Sequence, residues 1–170
     1  MRKDIIGDQP TARQSHDDAD WLDVERIARV QLTSEDPAFP IENALSTNPE
    51  RNELGWRAAS LGAQTIALHF DAPQNFRRLF VHFIEREAER GQEFVLRYSS
   101  PTETNREIVR QQWTFSPTGS TQETEDYAVN LDSVTKFEIV IDPDRGRGQS
   151  LAILKRTIAM IAQINQRMQR

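Results

Sequence analysis

The chain has 170 residues, 37% of them hydrophobic, no cysteine and a net charge of −5. That length suits one domain with a core of its own. The missing cysteine excludes disulfides, thiolate metal sites and thiol catalysis, and no apolar run approaches the ~18 residues of a membrane span.

Residues 1–20 read as a disordered acidic leader, with Asp17, Asp18 and Asp20 clustered, Pro10 breaking any early helix, and little to bury. Two basic residues near Met1 are followed by no long apolar run, so a signal peptide is not expected and the cytoplasm is the default location. Order is expected to begin near Trp21, which would staple the leader to the body. In Val24–Leu32, positions 28, 30 and 32 alternate as a strand does, while 24, 27 and 28 also suit a helical turn. Next come the segment Pro40-Ile-Glu-Asn-Ala-Leu45, a long polar loop over 46–55, and Trp56.

The strand-like runs continue down the chain. Thr65–Phe70 alternates with Ile66, Leu68 and Phe70 on one face. Arg78–Ile84 is nearly all apolar and suits a strand covered on both sides. Phe94–Tyr98 places Phe94, Leu96 and Tyr98 inward. Ile108–Phe115 puts Val109, Gln111, Trp113 and Phe115 on one face. Tyr127–Leu131 and Lys136–Ile141 follow, the latter with Phe137, Ile139 and Ile141 inward. Ser150–Ile158 is the last apolar stretch. Turn signals rich in Pro, Gly, Asn, Asp and Ser lie between these runs, at 34–37, 46–49, 71–73, 99–101, 116–119 and 142–146. The pattern predicts an all-β fold, an antiparallel β-sandwich, jelly-roll-like, with about eight strands. The helical spacing of Ile158, Ile161, Ile164 and Met168 adds a short C-terminal helix or a basic tail over 161–170, with the last strand ending near 157.

With the strands in place, residues 21–160 resemble the galactose-binding-like, or discoidin-like, β-sandwich superfamily. The resemblance is carried by Pro40-x-x-Asn43-Ala44, Trp56-Arg57-Ala58-Ala59, Phe94-Val-Leu-Arg-Tyr-Ser99, Tyr127-Ala-Val-Asn-Leu131 and Phe137-Glu-Ile-Val-Ile-Asp-Pro143. The stretch Trp56–Ile66 is also similar to the N-terminal domain of the X-ray-repair scaffold protein, of the same superfamily. The family's sugar and lipid binders commonly carry Asp-Gly-Asn after Asn-Ala, near a structural calcium. Leu45-Ser46-Thr47-Asn48 stands here instead, without the carboxylate or the glycine, although Glu42 and Asn43 retain oxygens for a hard cation.

No catalytic constellation stands out. Glu85, Glu87 and Glu89 alternate with Arg86, Ala88 and Arg90 and read as a solvated hairpin edge. His69 and His82 fall short of a zinc ligand set, so no metal or cofactor is expected. Trp56 and Trp113 are read as core. Binding residues in sandwiches gather on loops at one end, and arginines and amides there suit polar ligands. Asn48, Arg51 and Asn52 in the 46–55 loop, Arg106 in the 99–107 loop, and Arg145 and Arg147 in the 142–149 loop are therefore the candidate ligand-binding residues. Residues 145–170 carry six basic side chains and no acid, which leaves −11 on the rest. An acidic body argues against strong nucleic-acid binding. The expected function is a non-catalytic binding module inside the cell, recognising a carbohydrate or a protein partner. The alternative is a protein-interaction or assembly subunit that uses a sheet face, or self-associates through 150–170.

Overall fold

The computed structural model describes residues 21–160; the leader over 1–20 and the tail over 161–170 lie outside the described residues. In chain order the elements are α1 (Val24–Ile27), β1 (Ala28–Leu32), α2 (Glu42–Leu45), α3 (Pro49–Leu54), β2 (Trp56–Leu61), β3 (Gln64–Ile84), β4 (Arg90–Ser99), β5 (Arg106–Phe115), β6 (Gln122–Asp142), β7 (Leu151–Leu154) and β8 (Arg156–Met160). The strand pairs are antiparallel, as expected of an all-β sandwich. No described helix is long and apolar enough to cross a membrane.

The eight strands are not the eight runs read from the sequence. Two pairs of runs are single strands: 65–70 and 78–84 belong to β3, and 127–131 and 136–141 belong to β6. Asp71-Ala-Pro73 does not end its strand. β3 and β6 instead pass through register shifts between His69 and Arg78, with 70–73 unpaired to β6, and pairing resumes from Gln74, because a bulge leaves residues unpaired while the strand bends and continues. β2 was not among the expected runs, and the last run is two strands, one paired with β2 and the other with β3. The last strand therefore reaches Met160. Its backbone is extended because Arg156–Met160 lies opposite Arg78–His82, so the ambiguous 158–160 spacing resolves as strand there.

The bends carry β3 and β6 from one layer to the other. One six-stranded sheet, ordered β1-β3-β6-β4-β5 with β8 on β3, thus folds over on itself, beside the two-stranded sheet β2-β7. The layers meet face to face where Phe83 of β3 packs on Phe94 of β4, with ring centroids 5.0 Å apart. Phe76, fully buried at the bend, touches Phe70 and Phe137 edge-on. Phe94, Leu96, Phe115, Phe137, Ile139 and Ile141 fill the core from the faces that alternation predicts. Trp56 is fully buried and Trp113 packs against the same cluster from a half-buried position. Trp21 packs edge-on against Phe80.

Within the 46–55 segment, Pro49–Leu54 is helical rather than irregular. Asn48 accepts a hydrogen bond from the Glu50 amide at the N-cap, and Pro49 takes the first turn, the placement that proline and asparagine favour at helix starts. Gly55 closes the helix at φ +67 and lies against the β7 backbone; a Cβ there would stand 3.0 Å from the Leu154 carbonyl oxygen.

Candidate functional site

The six candidate residues do not converge. β4 and β6 are antiparallel, with Glu93 opposite Asp142 and Ser99 opposite Lys136. The 142–149 loop therefore sits at the start of β4 and the 99–107 loop at its end, roughly 20 Å away at ~3.3 Å per residue. Arg106 is bound to Glu103 at 2.6 Å within its own turn. Arg51 pairs with Glu25 of α1 at 3.0 Å. Asn52 is buried, and its Nδ2 donates to the carbonyl oxygens of Asn43 at 2.8 Å and Ser46 at 3.0 Å. These carbonyls lie in the segment where the family resemblance implies a cation, and here they accept from an amide. Asn43 is buried too and donates to Gly55 O at 3.1 Å. Asn48, Arg51 and Asn52 thus each have a structural task.

Arg145 and Arg147 stand apart from these. The loop that carries them is built by two aspartates. Asp142 Oδ1 accepts from the amides of Gly146 at 2.8 Å and Asp144 at 3.4 Å. Asp144 accepts from the amides of Gly148 at 3.0 Å and Gln149 at 2.7 Å. Burial works to raise the Asp144 carboxyl, but the amide donors of Gln149, Gly148 and Ser150 outweigh it and hold the group below its usual value. Arg145 itself adopts φ +54, a left-handed conformation that costs a non-glycine residue about 1–2 kcal/mol and turns its side chain back toward β4.

That side chain lies on Gly91. A Cβ at Gly91 would come within 2.7 Å of Arg145 Nε and 3.0 Å of its Cζ, so only a glycine lets the guanidinium rest there. Beneath, Arg90 is buried, with Nε bonded to Glu85 at 2.8 Å, Nη1 to Pro143 O at 2.5 Å, and the guanidinium over the Phe115 ring. The expected solvated Glu85–Arg90 edge is therefore corrected at its ends. Glu85 and Arg90 form a buried ion pair, with side chains 13% and 4% exposed, that ties the β3–β4 connection to the 142–149 loop. Together Glu89, Arg90, Gly91, Thr114, Asp144, Arg145 and Arg147 line an open cavity of about 410 Å³. Glu89, Arg90, Gly91 and Thr114 were not among the candidates. Nothing in the local sequence links β4 and β5 to a loop fifty residues away.

A second concavity, a groove of about 500 Å³, is lined in part by Glu85 and Gln149, the partners of Arg90 and Asp144. Its floor is apolar, from Leu54, Leu61, Ile84, Leu151 and Ile153, with Arg57, Lys155, Glu85 and Glu87 around it. Leu54 and Leu61 are 58% and 59% exposed there. β7 supplies Leu151 and Ile153 to this groove while Ala152 and Leu154 face the core.

The histidines do not form a pair, because both lie on β3. His69 meets Gln31 at 3.1 Å and His82 meets Gln122 at 3.1 Å. Burial pushes the His82 imidazole below its usual pKa. Among the described residues no group of three or more histidines, aspartates and glutamates is placed to hold a metal ion.

No protein-family model and no curated protein sequence matches the chain. Solved structures do match it. The family 32 carbohydrate-binding module of C. perfringens NanJ, solved in complex with galactose, superposes with a TM-score of 0.58 at 11% identity, covering 82% of this chain and 97% of that one. A third family 32 module from a Clostridium perfringens family 31 glycoside hydrolase gives 0.58 at 12% identity, over 84% and 95%. The corresponding module of AlyQ, in complex with 4,5-unsaturated mannuronic acid, gives 0.53 at 15% identity, over 80% and 96%. At these identities the likeness is one of fold.

Proposed function

This chain has the galactose-binding-like, discoidin-like β-sandwich fold, and we propose that it serves as a non-catalytic binding module for saccharides. One observation carries the reading: the 142–149 loop, held by Asp142 and Asp144, keeps Arg145 and Arg147 at the mouth of a cavity shared with Glu89 and Thr114. Preset polar groups around a concavity are what recognition of a hydroxyl-rich ligand needs. Two fold neighbours were solved with a neutral and an acidic sugar, so the fold leaves the choice of saccharide open.

A broad glycan array tests this reading. We expect the folded chain to retain at least one oligosaccharide. Thr114→Trp, a bulky residue at an exposed position of β5 facing the cavity, abolishes that binding and leaves the melting temperature unchanged. An empty array with folded protein overturns the reading.

The groove favours a second reading, self-association. Its exposed Leu54 and Leu61 and its rim of both charge signs suit a second copy of the chain, because a two-fold interface must be complementary to itself. Light scattering across a concentration series is expected to show a dimer that Leu61→Asp dissociates; a monomer throughout removes this reading.

A further inference from the structure

We propose that the cavity beside Gly91 takes an acidic saccharide, with Arg145 and Arg147 clamping a sugar carboxylate; the inference rests on the saccharide reading above. The chain matches many of its arginines to a carboxylate. Arg51 has Glu25, Arg77 has Asp132, Arg90 has Glu85, Arg97 has Glu138, Arg106 has Glu103, and Arg110 has Glu93 and Glu107. The exposed guanidinium groups of Arg145 and Arg147, two residues apart on one ordered loop, make no ion pair or hydrogen bond among the described residues. Arg145 exerts only a weak attraction on Glu93, whose carboxyl is lowered mainly by its bond from Gln112.

Both arginines line the same concavity, and the Arg145 guanidinium is set in place by its rest on Gly91. A planar fork fixed in this way loses little freedom when it binds a planar carboxylate through two parallel hydrogen bonds. The remaining lining decides which anion fits. Glu89 and Asp144 are both carboxylates and repel a second negative charge, so a singly charged carboxylate suits the cavity better than a phosphate dianion. Glu89 and the Thr114 hydroxyl then serve as hydrogen-bond partners for sugar hydroxyls beside the acid group.

The test is calorimetric titration of the full chain with trisaccharides of galacturonate, mannuronate and glucuronate, each beside its neutral methyl ester, and with sodium sulfate and phosphate. We expect at least one acid to bind at least tenfold more tightly than its ester. The double variant Arg145→Gln, Arg147→Gln should weaken the acid at least tenfold more than its ester and so remove that gap. Gly91→Ala, which pushes the Arg145 guanidinium off β4, should narrow the gap in the same direction and serves if the double variant does not fold. If esters or neutral sugars bind as well as every acid, the acidic-ligand inference falls and the saccharide reading stands. If sulfate or phosphate binds as tightly as the best acid, the site is a general anion site and the inference falls. An empty glycan array overturns both.

Discussion

Glu123 sits on the inward face of β6 with 1% of its surface exposed, and among the described residues its carboxyl oxygens meet no cationic or amide donor. Burial, followed by the charge of nearby Glu125, raises its pKa from 4.5 to about 8. The same two acids, after burial, push the Tyr127 hydroxyl upward. Between 4.5 and about 8 the folded chain holds a proton on Glu123 that the unfolded chain has released. This group's contribution to stability is therefore complete below 4.5 and lost as pH rises toward 8. Glu123→Gln should flatten that decline and melt several degrees above the parent at pH 8.5, with the gap closing at pH 4; parallel melting curves across the range would sink the argument. Nothing in Gln122-Glu-Thr-Glu-Asp-Tyr127 gives this away, since acids alternating with polar residues read as a solvated strand.

At the scale of elements, the α2–α3 corner shows how a polar run can be structural. Its amides are turned inward: Asn43 bonds Gly55, and Asn52 bonds both Asn43 and Ser46. Asn52→Ala leaves two buried carbonyls without their donor, so it should lower unfolding free energy by about 2–4 kcal/mol. Urea titration checks this, and a loss under about 0.5 kcal/mol, the range of an ordinary surface substitution, would return Asn52 to the list of ligand candidates. The Asn48-Pro49 step is a helix-start signal legible in the sequence, although the same residues also suit a turn. The merged strands have a different cause. Asp71-Ala-Pro73 carries every mark of a strand end, and it does interrupt the pairing with β6, but the ladder resumes at Gln74 opposite Val134, so the two runs belong to one bent strand.

For the whole molecule, the bends in β3 and β6 make one sheet into two layers, and Phe76 is packed where they fold over. Phe76→Ala should destabilise the chain by about 3–5 kcal/mol in a single cooperative transition, because its ring touches Phe70 and Phe137 on the first layer's strands. Two separate transitions would show instead that the layers fold independently. The same architecture puts the 99–107 and 142–149 loops at opposite ends of β4, and so parts Arg106 from Arg145 and Arg147.

The sequence by itself determined the class and most of the core. Period-two alternation reports which side chains share a face, and Phe94, Leu96, Phe137, Ile139 and Ile141 are buried as that rule requires. It also marked Arg145 and Arg147 on a glycine-containing turn. Only the tertiary structure decided which arginines already have partners, which loops share an end, and that Gly91 of β4 lies under Arg145. Those are relations between segments far apart in the chain, fixed by strand register and by the two bends, and no local pattern of residue types encodes them.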